Sequence, residues 1–270
     1  MSGVELSAHA AAQQALWGTD PAGWAQVAEP LNVPLFEAVL AATGVGPGTR
    51  LLDVGCGSGL ALSMAAARGA TAAGIDVSAS LLGVAATRVP GADLRVGDLQ
   101  LLPWAAGSFD VVVGINSFQF AQDPVAALAG AARVVRPGGP VAASLFAEPE
   151  RCESTAVHVA MSALSPPVRQ GEHRPYALSA TGGLEAAMTA AGLTVEVSAE
   201  VRVDWAYRDT AAAVRGLLSS GGGARAVHDA GRDATEAAVR GALRPFTSAR
   251  GQVVMHNVFR YVLGRRPGSL

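Results

Sequence analysis

The stretch Leu51-Leu52-Asp53-Val54-Gly55-Cys56-Gly57-Ser58-Gly59 constrains this chain more than any other. Apolar residues flank one carboxylate, Asp53, and three glycines then follow at alternate positions before an Ala-rich run. That order reads as strand, tight turn and helix. Glycines in such a turn admit positive φ and let a ligand approach bare backbone. The N–H groups at the following helix start can receive negative charge. A small ligand is expected to be held here.

The alternation continues downstream. Strands are expected at about 50–54, 71–76, 93–96, 109–115 and 141–146, with helices at about 59–68, from the N-cap Ser78 to before Pro90, and at 124–136. Asp123-Pro124 opens the last of these with Pro at the favoured first position, and Pro137-Gly138-Gly139 stops it. A helix at 181–191, an alternating strand at 194–207, helices over 209–244 around a flexible Ser-Ser-Gly-Gly-Gly stretch, and a strand at 253–263 complete the pattern. Residues 7–43 look helical and amphipathic, broken at Gly18–Pro21 and again near Pro30 and Pro34. The fold class is therefore α/β: a doubly wound, Rossmann-like, mostly parallel seven-stranded sheet with helices on both faces, an N-terminal helical lid and helical insertions near the C-terminal strands.

Composition closes off several functions. The formal net charge of −2 gives no electrostatic reason for a nucleic-acid partner. Two cysteines, Cys56 and Cys152, are too few for a disulfide framework, and no Cys/His cluster has zinc spacing, so no metal is expected. No run approaches about 18 uninterrupted apolar residues, so no membrane span is expected. The N-terminus lacks the basic region and apolar run of a signal peptide, and a cytoplasmic protein is expected.

Acids recur where an open sheet places its ligand contacts, at the carboxyl ends of strands. Asp76 ends the second strand, where a carboxylate can accept both hydroxyl protons of a ribose. Asp98 follows the third strand within reach of an exocyclic amine, and Asn116 follows the fourth. These segments together resemble the class I S-adenosylmethionine-dependent methyltransferases. The matching residues are Leu51–Gly59, Gly74-Ile75-Asp76-Val77-Ser78, Gly97-Asp98-Leu99 with Leu102-Pro103, Ser108-Phe109-Asp110, and Arg133–Gly139. The resemblance is strong over about residues 45–146.

The resemblance implies S-adenosyl-L-methionine as cofactor. It implies a single domain over 1–270, divided into the lid (1–44), the cofactor-binding core (45–146), and an acceptor-side cap with the C-terminal strands (147–270). Gly55, Cys56, Gly57 and Gly59 would cradle the methionine part, and Asp53 would orient its amino group. Asp76 would hold the ribose, with Val77 against the adenine. Asp98 would accept from the adenine amine, the Leu99 N–H would meet a ring nitrogen, and the backbone near Asn116 would face the amino group. Asp110 and the Gly138-Gly139 turn read as structural.

The acceptor is narrowed by what is missing. Many relatives place His after the fourth strand, where this chain has Asn116-Ser117-Phe118-Gln119-Phe120. There is no Asn/Asp-Pro-Pro-Tyr, no lysine for a Lys-Asp-Lys-Glu set, no well-placed Cys nucleophile, and no paired glutamates after the fourth strand. A small organic acceptor remains, with specialised metabolism as its setting. Low-ranking candidates for catalysis are Gln119, His173 and Tyr176, with Glu148, Glu150 and His158 as further polar groups. Trp17 and Trp24 are either a lid over the cofactor or anchors of the N-terminal helices. Two rivals stay open: a protein that binds the cofactor for regulation or another reaction, and a nicotinamide-dependent oxidoreductase. The second is disfavoured because Leu60 stands where Gly-x-Gly-x-x-Gly needs its third glycine.

Overall fold

A strand covered by helices on both faces reads as a continuous apolar run, and β4 (Val111–Ile115) is buried at every position. The computed structural model describes residues 6–167 and 177–268. Around β4 lies a seven-stranded sheet of order β3-β2-β1-β4-β5-β7-β6. The first five strands are β1 (Arg50–Val54), β2 (Thr71–Asp76), β3 (Asp93–Val96), β4 and β5 (Pro140–Phe146), all parallel. Successive residues feed opposite cores. Leu51 and Val113 face one cluster with Leu35, Leu40 and Leu62, whereas Leu52 and Val112 face another with Ile75, Leu128 and Met188.

The strand order reverses between β1 and β4, so both chain directions leave the middle of the sheet and open a crevice at the carboxyl edge. α4 (Leu60–Ala67), α5 (Ala79–Arg88) and α6 (Pro124–Val134) form the crossovers. Ser78 and Asp123 cap α5 and α6 through bonds from Leu81 N and Ala126 N, as the sequence predicts.

The C-terminal strands build the roof. β6 (Thr194–Tyr207) and β7 (Val253–Arg265) form an antiparallel ribbon, and β7 also pairs antiparallel with β5. Phe146, the last residue of β5, pairs with Phe259, so residues 253–258 of β7 project past the edge of the sheet. That projection carries α9 (Thr210–Leu218), α10 (Gly221–Ala230) and α11 (Arg232–Leu243), with α7 (Thr155–Ser162) packed against α10 and α11. α8 (Gly183–Ala190) packs on α6.

Three local expectations need correction. Residues 109–110 lie outside β4: Phe109 makes an isolated bridge to Val135, and Asp110 ion-pairs with Arg50 and Arg136. Pro30 does not break the N-terminal helices. After α1 (Ala8–Trp17) and α2 (Pro21–Gly23), the chain widens into a π turn (Trp24–Ala28), tightens into a 3-10 turn (Glu29–Asn32), and continues as α3 (Val33–Ala42). The change of hydrogen-bond register absorbs the N–H that proline lacks. The Ser-Ser-Gly-Gly-Gly stretch is not a flexible break; Ser220 caps α10 and its glycines form the first turn.

Candidate active site

The glycine turn is held to the end of β2 by backbone alone. The N–H groups of Gly55 and Cys56 both donate to the Ile75 carbonyl, at 2.8 and 3.1 Å. Gly55 has φ +79°, and a Cβ there would run into the Ser117 side chain. Ser117 in turn donates through its hydroxyl to the Val54 carbonyl, tying the end of β4 to the end of β1. Gly59 (φ +81°) lets α4 approach α5, since a Cβ would lie 2.8 Å from that of Ala85.

Asp76 spans the turn with both oxygens. Oδ2 accepts from the Gly57 N–H at 2.9 Å and Oδ1 from the Ser78 N–H at 2.8 Å. Burial pushes its pKa up, partly offset by those N–H groups. Asp53 lies deeper, at the end of β1, and its Oδ1 has no hydrogen-bond partner among the described residues. Burial first, then the nearby Asp76 and Glu29 carboxylates, raises its pKa to about 8. Cys56 is buried and its sulfur faces Gly74. Burial drives its thiol pKa well up, which makes it a packing residue rather than a nucleophile.

Beyond β4, Asn116 is the one described non-glycine residue with positive φ, +56°. Its N–H donates to the Ser144 carbonyl of β5 at 3.0 Å, and its buried Oδ1 has no partner among the described residues. Asparagine tolerates this left-handed region better than other non-glycine residues do. Asp98 accepts from the Gln100 N–H at 3.0 Å and from the Ser7 hydroxyl at 2.9 Å. Leu99 is buried beside it, and the Val77 carbonyl accepts from Gln14 Nε2 at 2.8 Å. The predicted set Asp53, Gly55, Cys56, Gly57, Gly59, Asp76, Val77, Asp98, Leu99 and Asn116 thus converges on one crevice.

The N-terminal segment covers that crevice. Trp24 Nε1 and Glu29 Oε1 lie 3.5 and 3.8 Å from where a Gly57 Cβ would be. Trp17 meets Trp24 edge-on at 5.0 Å and Phe120 at 5.3 Å. Trp17 also packs on Gly221 of α10, where a Cβ would lie 2.7 Å from its ring. The two tryptophans therefore differ: Trp17 anchors the segment to the cap, and Trp24 faces the cradle. Sequence reasoning missed Ser7, Gln14, Glu29 and Arg88, which reach the crevice from up to 91 residues away and belong to no motif. Only Ser7, placed as a helix cap, left a local signal.

The proposed acceptor side is apolar. Gln119 is buried in the 3-10 turn Phe118–Phe120, with Oε1 unpartnered among the described residues. Phe118 packs under Gly114 as core. His158 meets Phe146 and Trp205 edge-on, and burial lowers its pKa to about 4, so it is neutral at pH 7. Glu148 is engaged structurally by the Thr181 hydroxyl and Arg260, and Glu150 is exposed. His173 and Tyr176 lie outside the described residues. Among the described residues no helix is long and apolar enough to cross a membrane, and no cluster of three His, Cys, Asp or Glu is arranged for a metal.

Comparison with known proteins shows what the segments around this crevice are similar to. Residues 52–143 match the model of the methyltransferase domain. An uncharacterised protein of Mycobacterium tuberculosis is 37% identical over 136 residues, 49% of each chain. The demethylmenaquinone methyltransferase of Renibacterium salmoninarum is 36% identical over 111 residues, 41% of this chain and 47% of that one. The chain spans about half the length of the curated relatives it matches. Among solved structures, geranyl diphosphate C-methyltransferase from Streptomyces coelicolor A3(2) has the same fold, with a TM-score of 0.58, 14% identity, and coverage of 97% of this chain and 100% of that one. Residues 52–143 are thus similar to a methyltransferase domain, on a fold that solved methyltransferases share.

Proposed function

We propose that the protein transfers a methyl group from S-adenosyl-L-methionine to a small organic molecule of the kind met in specialised metabolism. One observation carries this reading. The orphaned oxygens of Asp53 and Asn116 flank a side-chain-free glycine turn at the switch point of the sheet. Buried acceptors without donors call for a ligand with N–H groups, and the ammonium of the cofactor has three.

When bound, the cofactor would supply an activated sulfonium methyl, which an acceptor takes in line while the neutral thioether leaves. Asp53 and the Asn116 region hold the amino group, Gly55–Gly59 pass backbone along the methionine part, and Asp76 holds the ribose hydroxyls. Val77 packs against the adenine, while Asp98 and the Leu99 N–H read its polar edge. Because the leaving group is neutral and already activated, orientation supplies most of the protein's contribution. Phe259 and Trp205 are buried as core and only Phe146 is partly exposed beside them, so Phe146 is the ring an acceptor would meet there. Gln119 is the described polar group placed to orient it, with His173 and Tyr176 as further candidates.

The rival of a cofactor-binding protein that runs another reaction is favoured by one observation: His158, the titratable group packed on these rings, is held neutral by burial. Calorimetry with S-adenosylmethionine and NAD, followed by turnover of methyl-labelled cofactor against a small-molecule extract, separates the readings. Binding of the sulfur nucleoside with label in a product is expected. Binding without label in any product would favour the rival, and failure to bind would overturn both.

A further inference from the structure

Gly57 is flanked by empty space with one hydrogen-bond donor and one acceptor at its border. Apart from its chain neighbours, the atoms within 4 Å of a Cβ built there are Trp24 Nε1 and Glu29 Oε1 alone. No described residue accepts from the Trp24 indole N–H or donates to Glu29 Oε1, and neither residue has a partner left unnamed. The other oxygen of the buried Glu29 carboxylate is fully committed. Oε2 accepts from the Ser58 hydroxyl at 2.6 Å and from the Arg88 guanidinium. Arg88 also donates to the Ser58 carbonyl at 3.0 Å and to the Ala25 carbonyl at 2.7 Å. One guanidinium therefore clasps the N-terminal segment, the glycine turn and the end of α5 together. It fixes Glu29 with one oxygen turned toward the space over Gly57.

A donor and an acceptor that both lie within 4 Å of one point over a bare backbone match a zwitterion. We propose that Trp24 and Glu29 are binding residues for the amino-acid end of the methyl donor. Trp24 Nε1–H donates to its carboxylate, Glu29 Oε1 accepts from its ammonium, and Arg88 is the positioning residue that aims Glu29. The inference rests on the cofactor reading above and extends it to residues outside the motif-bearing core. It also gives the lid a chemical task, since donor recognition is complete only when residues 21–42 are docked on the turn.

Two thioether ligands test it: S-adenosylhomocysteine, which has the amino-acid end, and 5′-methylthioadenosine, which lacks it. Calorimetry is run on the wild type, Trp24→Phe, Glu29→Gln and Arg88→Lys. Each variant is expected to bind S-adenosylhomocysteine about tenfold more weakly, as loss of a charge-assisted hydrogen bond implies. Each should bind 5′-methylthioadenosine within twofold of wild type. Equal losses for both ligands would mean a merely structural role and overturn the proposal, as would no loss for either. Should Glu29→Gln fail to fold, the near-isosteric Trp24→Phe carries the same comparison. A wild-type protein that binds neither ligand would instead sink the cofactor reading.

Discussion

Asp53 departs far from ordinary carboxylate behaviour. Its usual pKa of 3.8 rises to about 8 because burial and two neighbouring carboxylates disfavour the charge. The folded protein therefore holds a proton that the unfolded chain gives up. The stability Asp53 contributes is fully present below about pH 4 and is lost as pH rises through about 8. Asparagine cannot ionise, so Asp53→Asn should match the wild type near pH 3.5 in the absence of ligand. At pH 9 it should be more stable by an amount on the order of a few kcal/mol. Urea denaturation at both pH values measures this, and parallel stabilities would contradict the assignment. Asp53, Asp76 and Asp98 were legible in the sequence because each sits at or just past the carboxyl end of a strand at motif spacing. Glu29 was not, because nothing local distinguishes an acid that pairs with Arg88 and Ser58 from a solvated one.

The elements themselves were largely legible. β1, β2, β3 and β6 begin and end where apolar runs meet glycine, proline or a capping side chain. Where expectation failed, tertiary contact overrode composition. Three consecutive glycines at 221–223 suggest a break, yet close packing demands glycine at 221 and 223. A Cβ at Gly223 would lie 2.5 Å from Leu218 Cα, whereas one at Gly241 of α11 meets nothing within 4 Å. Gly223→Ala should therefore cost about 2 kcal/mol or more through overpacking. Gly241→Ala should stabilise by about 0.5–1 kcal/mol by lowering the entropy of the unfolded chain. Thermal denaturation of the two variants gives the comparison. Destabilisation by both would mean that helix α11 is not as open at Gly241 as described.

At the scale of the molecule, the sequence separates a motif-rich core from flanking segments. It does not show that the flanks compete with the ligand for the core. α1 reaches the crevice through Ser7, whose hydroxyl donates to Asp98 Oδ2, the carboxylate assigned to the adenine amine. We predict that α1 surrenders that bond when the amine takes its place at Asp98. A contact made only in the ligand-free state lowers apparent affinity by the factor it stabilises that state. Ser7→Ala should accordingly destabilise the free protein yet bind S-adenosylmethionine several-fold to about tenfold more tightly. The lost cap bond from the Ala10 N–H is common to both states and cancels in the comparison. Thermal shifts measured with and without saturating cofactor close the cycle: the cost of Ser7→Ala should shrink when cofactor is present. An equal cost in both conditions, with unchanged affinity, would mean that Ser7 and the adenine do not share Asp98.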